Sequence, residues 1–318
     1  MSEARALTQL SFQAVLAAEN AAIAASDWIG LGEKEQADQA AVDALRTGLN
    51  AMAMRGRIVI GEGERDEAPM LFIGEEVGTG EGPEIDIALD PLEGTTLTAK
   101  GMENALAVLS LSPRGGLLHA PDTYMDKIAV GPGLPAGIVD LDASPGENVA
   151  NLAKAKGVSA REITVCVLER ERHQYIVDGV KNAGARVRMI PEGDVAGLMG
   201  SAGLGAIADM YIGRGGAPEG VLAASALRCI GGQMQGRLHF RTDDERARAR
   251  RVGVTDLDRK YDLSELASGR CVFIATGVTD GDLVDGVRIK DGMANTHTLL
   301  LDSEDHSIRK IRSTRPHS

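Results

Sequence analysis

Apolar residues recur on two lines of a helix over residues 4–27: Leu7, Leu10, Ala14, Ala17 and Ala21 form one stripe, and Phe12, Leu16 and Ile23 form another on the opposite side. A helix apolar on two faces is sandwiched, either at a subunit interface or beneath another part of the same chain. Ala41, Val42, Leu45, Leu49 and Met52 predict a second helix over 37–53. Asp38 lies one turn before Ala41 and Val42, on the inward side, where a carboxylate needs a partner. Residues 57–60 predict a short buried strand that delivers Glu62 and Glu64 at its carboxyl end, where ligands gather in open α/β sheets. Ile85, Ile87 and Leu89 alternate with Asp86, Ala88 and Asp90 as a strand stopped by Pro91, which cannot donate a ladder hydrogen bond. A strand pair is expected at 105–111 and 117–120, and the stretch 121–127 reads as an irregular polar excursion.

The second half has a βαβ rhythm: strand 163–168, helix 173–183, strand 187–190, helix 195–199, strand 207–212. A glycine-rich loop, 213–220, then leads into an Ala-rich helix over 221–229, and 271–276 predicts a further strand. Charges alternate over 241–251 as on a solvated helix. No Pro/Ser-rich linker divides the chain and no internal repeat is evident, so residues 1–318 are expected to form a single α/β unit with approximate lobes 1–160 and 161–318.

Composition narrows the classes. Aromatics are only 3%, so stacking platforms for single-stranded nucleic acid are disfavoured, and the core must be built from aliphatics and eleven Met. The formal charge of −12 disfavours a nucleic-acid or anionic-membrane surface, and an anionic substrate would need local cations. Cys166, Cys229 and Cys271 stand far apart, which suggests neither a disulfide framework nor a thiolate zinc site. The first 25 residues include Glu3, Arg5 and Glu19 and hold no unbroken apolar h-region, and no apolar run reaches about 18 residues. The expectation is a cytoplasmic protein.

The chemistry concentrates in acids placed at strand ends. Asp90 and Glu93 are brought together by the turn at Pro91, so two oxygen ligands can converge on one cation. Gly94 permits close backbone approach, and Thr95 and Thr96 offer hydroxyls where a helix should start. Glu62 follows one strand, Glu219 sits in the glycine-rich loop after another, and Asp38 adds an inward acid. Two bare carboxylates about 4 Å apart repel by roughly 4 kcal/mol at an effective dielectric of about 20, so convergence implies metal. The donors are all oxygens and the six histidines are scattered, which favours magnesium or manganese over zinc or copper.

The segment DPLEGT resembles the metal motif of the lithium-sensitive phosphatase superfamily, which includes inositol monophosphatases and sugar bisphosphatases. The longer strings IVIGEGERDEAPMLFIGEEVGTG, DIALDPLEGTT, NALAVLS, APDTYMDK, IPEGDV and GGAPEGV closely resemble the class II fructose-1,6-bisphosphatase family, with ATG at 275–277 and the IRKIRS tail also in keeping. The resemblance implies a layered α-β-α-β-α sandwich of the sugar-phosphatase type, with the metal and phosphate in the first lobe and the sugar in the second. It implies hydrolysis of fructose 1,6-bisphosphate to fructose 6-phosphate and phosphate, as in gluconeogenesis, by a homo-oligomer (dimer or tetramer). Carried over by motif, Asp38, Glu62, Asp90, Glu93 and Glu219 are the expected ligands of two or more Mg2+ or Mn2+ ions. Glu93, Gly94, Thr95, Tyr124, the run Arg170, Glu171 and Arg172, the run Glu192, Gly193 and Asp194, and Gly216 are expected to face the sugar phosphate. Two positions depart from the family pattern: Glu171 stands where some relatives carry Pro, and Glu192 replaces an Asp.

The implied chemistry is a two-metal displacement with Thr95 orienting the attacking water and Glu62 and Asp90 among the catalytic acids. Ligands, ions and a bisphosphate still leave about five negative charges over, so Arg170, Arg172 and Lys127 are candidates for the far phosphate. Three alternatives stay open: a bifunctional fructose-1,6/sedoheptulose-1,7-bisphosphatase, an inositol-phosphate phosphatase, and a catalytically silent sugar-phosphate sensor. The GGAPEG and PDTYMDK strings disfavour the second, and intact Asp90, Glu93, Thr95 and Glu219 argue against the third. A nucleotide-binding protein is weaker still, because no P-loop is present.

Overall fold

The buried stripe of the first helix packs into the core of one of two units in a computed structural model that describes residues 3–63, 70–205 and 207–317. The units are Met1–Leu118 with Ser268–Ser318, and His119–Ala267. Glu64, expected after the first strand, lies outside the described residues. The chain begins the first unit with α1 (Glu3–Ser26), α2 (Lys34–Asn50), β1 (Arg55–Ile60), β2 (Glu76–Val77), β3 (Glu84–Glu93), α3 (Thr95–Lys100) and β4 (Leu106–Pro113). The second unit holds β5 (Tyr124–Val130), α4 (Pro145–Lys156), β6 (Thr164–Leu168), α5 (Gln174–Asn182), β7 (Arg186–Ile190), α6 (Asp194–Ser201), β8 (Met210–Gly216), α7 (Ala217–Ile230), β9 (Gln233–His239), α8 (Asp243–Arg251), β10 (Lys260–Asp262) and α9 (Leu263–Leu266). The chain then returns to the first unit with β11 (Val272–Gly277), β12 (Arg288–Lys290), β13 (Met293–Asp302) and β14 (Ser307–Pro316). The result is the mixed α/β fold with interleaved helices and sheets that the sugar-phosphatase resemblance implies.

In the first unit the strands run β12-β13-β11-β4-β3-β1-β2, with β14 on β13. Leu7, Leu10, Ala14, Ala17 and Ala21 of α1 join Ala41, Val42, Leu45 and Leu49 of α2 and the inner faces of β3, β4 and β11 in one core. Phe12 and Leu16, the second stripe, are 65% and 50% exposed in this single chain, so the first helix is buried on one side only. In the second unit the order is β10-β9-β5-β8-β6-β7, and the core packs α4 and α5 on β6 through Val149, Leu152, Val165, Val167, Ile176 and Val180. Among the described residues no helix is long and apolar enough to cross a membrane. The three cysteines are buried and form no disulfide.

Four expectations are corrected here. The strand expected to stop at Pro91 continues to Glu93, because Asp90 opposes Val108 while Glu93 opposes Leu106, so one extra residue is taken up in a bulge. A bulge is where a strand tolerates proline, and the Leu92 N–H is met by the Asp90 carboxylate at 3.1 Å. No strand forms at 117–120; β4 pairs instead with β3 and β11. The stretch read as a polar excursion contributes Tyr124 to Lys127 to β5, an interior strand between β8 and β9. The glycine-rich loop is shorter than expected, since β8 runs to Gly216 and α7 starts at Ala217 with Pro218 in its first turn.

Leu45 is fully buried between α1 and the sheet. Leu45→Ala should therefore cost about 2–5 kcal/mol of stability, read as a lower urea midpoint, and a loss under about 1 kcal/mol would show that α2 does not carry this core.

Candidate active site

The bulge in β3 explains how Asp90 and Glu93 come to share one place. Across a regular strand residues three apart point to opposite faces; the extra residue turns Glu93 back toward the side of Asp90. Glu93 is 5% exposed and Asp90 is half-buried. Gly94 follows with φ +93° and caps α3, a backbone conformation that glycine adopts without strain, and Thr95 opens a helix of only six residues. Lys34, the first residue of α2, donates to the Thr96 hydroxyl at 2.6 Å. Nothing in the sequence periodicity pairs those two residues.

Glu219 occupies the first turn of α7, and the glycines before it are needed for space. A Cβ at Gly216 would overlap the Glu219 carboxylate, and one at Gly215 would overlap the carboxylate of Asp194. Asp90 and Glu93 offer carboxylate oxygens within 4.8 Å of each other, and Glu219, in the second unit, offers a further one. Hard, anionic oxygens suit a divalent cation of the magnesium or manganese kind, and the donor set contains no sulfur or imidazole. Asp38 on α2 and Glu62 after β1 are half-buried and are not among these three. Burial pushes the Asp38 carboxyl above its ordinary range.

The residues expected at the sugar phosphate occupy the carboxyl ends of β6, β7 and β8 and the start of β5. Two guanidinium groups lie over the Tyr124 ring, Arg172 at 5.0 Å and Arg241 at 4.6 Å from its centre. Arg172 also donates to the Arg214 carbonyl at 2.8 Å, and Arg170 donates to the Pro191 carbonyl at 2.7 Å, beside the turn that carries Glu192, Gly193 and Asp194. Glu171 is exposed. Arg214 grips Asp126 with two bonds, 2.7 and 3.1 Å, and lies 3.0 Å from His239 Nε2. This corner of an otherwise acidic chain is rich in arginine, with Arg214 paired to Asp126 and Arg241 to Glu245 at 2.5 Å.

Arg214 and Arg241 were missed from sequence. Arg214 sits in what read as a glycine-rich loop, and Arg241 was absorbed into the charge run of a solvated helix, whereas α8 begins two residues later. The available signal was period-two alternation across Tyr211 to Gly216, which places Arg214 opposite Asp126 on β5. Lys127 was expected near the far phosphate but is wholly buried, paired with Asp194 and bonded to the Gly216 carbonyl at 2.8 Å.

Residues 8–315 match the family described as bacterial fructose-1,6-bisphosphatase, glpX-encoded. The chain is 44% identical, over 95% of its length and 94% of the relative's, to a protein of Synechococcus sp. (strain JA-3-3Ab) described as D-fructose 1,6-bisphosphatase class 2/sedoheptulose 1,7-bisphosphatase. A protein of Microcystis aeruginosa (strain NIES-843 / IAM M-2473) with the same description is 44% identical over the same shares.

His173 ties the arginine-rich corner to the sheet. Its Nε2 accepts from the Arg214 N–H at 2.8 Å, so Nδ1, 2.8 Å from the Leu168 carbonyl, must carry the proton. Burial holds its pKa below the ordinary imidazole value. Below about pH 6.5 the unfolded chain therefore binds the proton more readily, and the stability that neutral His173 confers, complete above that pH, is lost as pH falls through its folded-state pKa. His173→Gln should flatten the pH dependence of urea unfolding between pH 8 and 5 relative to the parent; an identical slope would show that the ring is not held neutral.

Proposed function

The chain belongs to the bacterial, glpX-encoded fructose-1,6-bisphosphatase family, and from that premise we propose that this phosphoric monoester hydrolase removes the 1-phosphate from both fructose 1,6-bisphosphate and sedoheptulose 1,7-bisphosphate. Hydrolysis of sugar bisphosphates is the activity of the family; the dual substrate range is the proposal. What supports it is the near full-length similarity to relatives that carry both activities in their description.

Asp90, Glu93 and Glu219 are the groups that would hold a divalent ion, with Asp38 and Glu62 as ligands of a second. Such an ion supplies charge neutralisation and Lewis acidity at the transferred phosphoryl group. Glu93 and Gly94 border the reacting phosphate, and the Thr95 hydroxyl orients the attacking water. That water's oxygen bonds to phosphorus, the bond from phosphorus to the sugar oxygen breaks, and a proton from the water ends on the departing sugar oxygen. Tyr124, Arg170 and Arg172 receive the far phosphate, with Glu171 at the rim; Glu192, Gly193, Asp194 and Gly216 line the sugar. Arg241, held by Glu245 and lying over the Tyr124 ring, fixes that ring in place. The 318 residues act as one catalytic unit, placed in the cytoplasm, and copies associate as a dimer or tetramer, for which the exposed Phe12 and Leu16 of α1 offer an apolar face.

Phosphate release from six- and seven-carbon sugar bisphosphates, assayed with Mg2+ and with Mn2+, should show turnover of both substrates that ceases on chelation. Turnover of the six-carbon sugar alone would remove the dual range, and turnover unchanged by chelator would remove the metal. Thr95→Ala should lower kcat by about 10²-fold or more with folding intact, in line with the loss of one transition-state donor.

A further inference from the structure

Lys127 is the only lysine wholly buried among the described residues, and its position has a geometric rather than a stabilising rationale. Its ammonium pairs with Asp194, whose other oxygen accepts from the Tyr211 hydroxyl, and it donates to the Gly216 carbonyl at 2.8 Å. Buried ion pairs roughly break even against apolar replacements, because desolvation offsets the attraction. The pair therefore calls for another reason to exist.

That reason lies in what Gly216 carries. Gly216 is the residue before α7, and the Ala217 N–H is bonded to the Thr123 carbonyl at 2.8 Å, so the strand end is held from both sides. The Glu219 carboxylate folds back into the space where a Gly216 Cβ would stand, and Lys127 Nζ lies 3.1 Å from the corresponding position at Gly215. Backbone, ammonium and carboxylate thus form one packed stack. A shift in Gly216 must move Glu219 with it.

We propose that Lys127, itself fixed by Asp194 and Tyr211, is a positioning residue that clamps the Gly216 end of β8 and thereby sets the Glu219 carboxylate for divalent-cation binding. The carboxylate of Asp194 holds the Lys127 ammonium in place. The proposal rests on the metal-dependent reading above, and it adds a buried cation to the determinants of metal affinity.

The test is direct Mn2+ binding to substrate-free protein, followed by the electron paramagnetic resonance signal of the free ion, with thermal unfolding recorded alongside. Lys127→Met alone strands the Asp194 carboxylate, so the deciding variant is Lys127→Met with Asp194→Asn, which removes both charges and leaves Tyr211 an acceptor. It should melt within a few degrees of the parent yet bind Mn2+ about 10- to 100-fold more weakly, the usual cost of losing an outer-sphere support. Glu219→Gln serves as the reference for loss of a ligand. Parental Mn2+ affinity in the double variant, with Glu219→Gln weakened, overturns the proposal, as does a double variant that fails to fold, which would assign the pair to stability. Failure of the parent protein to bind Mn2+ overturns instead the reading on which the proposal rests, and the proposal with it.

Discussion

Asp90 and Glu93 stand close enough to repel each other, and the fold is arranged to keep them there. Two carboxylates about 4 Å apart cost roughly 4 kcal/mol at an effective dielectric of about 20, so flexible side chains on a flexible loop would simply separate. Here the backbone denies them that escape. The extra residue at the β3 bulge orients Glu93, Pro91 occupies the position that lacks a ladder bond, and an interior strand of a large sheet supports both. Glu219 is constrained by a different device, a helix start packed against glycines. Repulsion held in this way would be relieved by a divalent ion.

Much of this arrangement was legible in the sequence wherever one physical pattern dominated. Helical spacing of alanine and leucine marked α1 and α2 because their buried stripes contain no polar interruption other than Glu19 and Ser11. Strands β1, β3, β6 and β11 were visible as apolar or alternating runs, and acids at strand ends led to Asp90, Glu93 and Glu219. Part of what stayed hidden shares a cause in charged residues set within strands. Lys127 faces inward on β5 between Met125 and Ala129, so the alternation of that strand read as polar irregularity. Arg214 did the same for the end of β8, where its partner Asp126 lies one strand away and some ninety positions back in the chain. Helix α4 was missed although Ser144 and Glu147 form a complete capping box, a local signal that periodicity alone does not weigh. The edge strand β14 escaped because most of its residues meet water on at least one side.

The arginine-rich corner shows how guanidinium groups can be ordered in an acidic protein. Net charge governs long-range behaviour, but at contact the field is set by the nearest groups. Arg172 and Arg241 lie over one aromatic ring, and Arg214 braces the adjoining strand through Asp126 and His239. Such contacts restrict the guanidinium groups, so less conformational freedom remains to them. Tyr124 acts as the spine of this group.

The interleaving of the two units along the chain carries a consequence for how the protein is made. The second unit is contiguous, His119–Ala267, whereas the sheet of the first is completed only when β11 enters beside β4. Until residue 277 has left the ribosome, β4 is an exposed edge, rich in leucine, with unsatisfied backbone donors and acceptors. Translation thus produces a nascent species whose later portion can close first while the earlier one waits, a window in which pairing with a neighbouring chain competes with maturation.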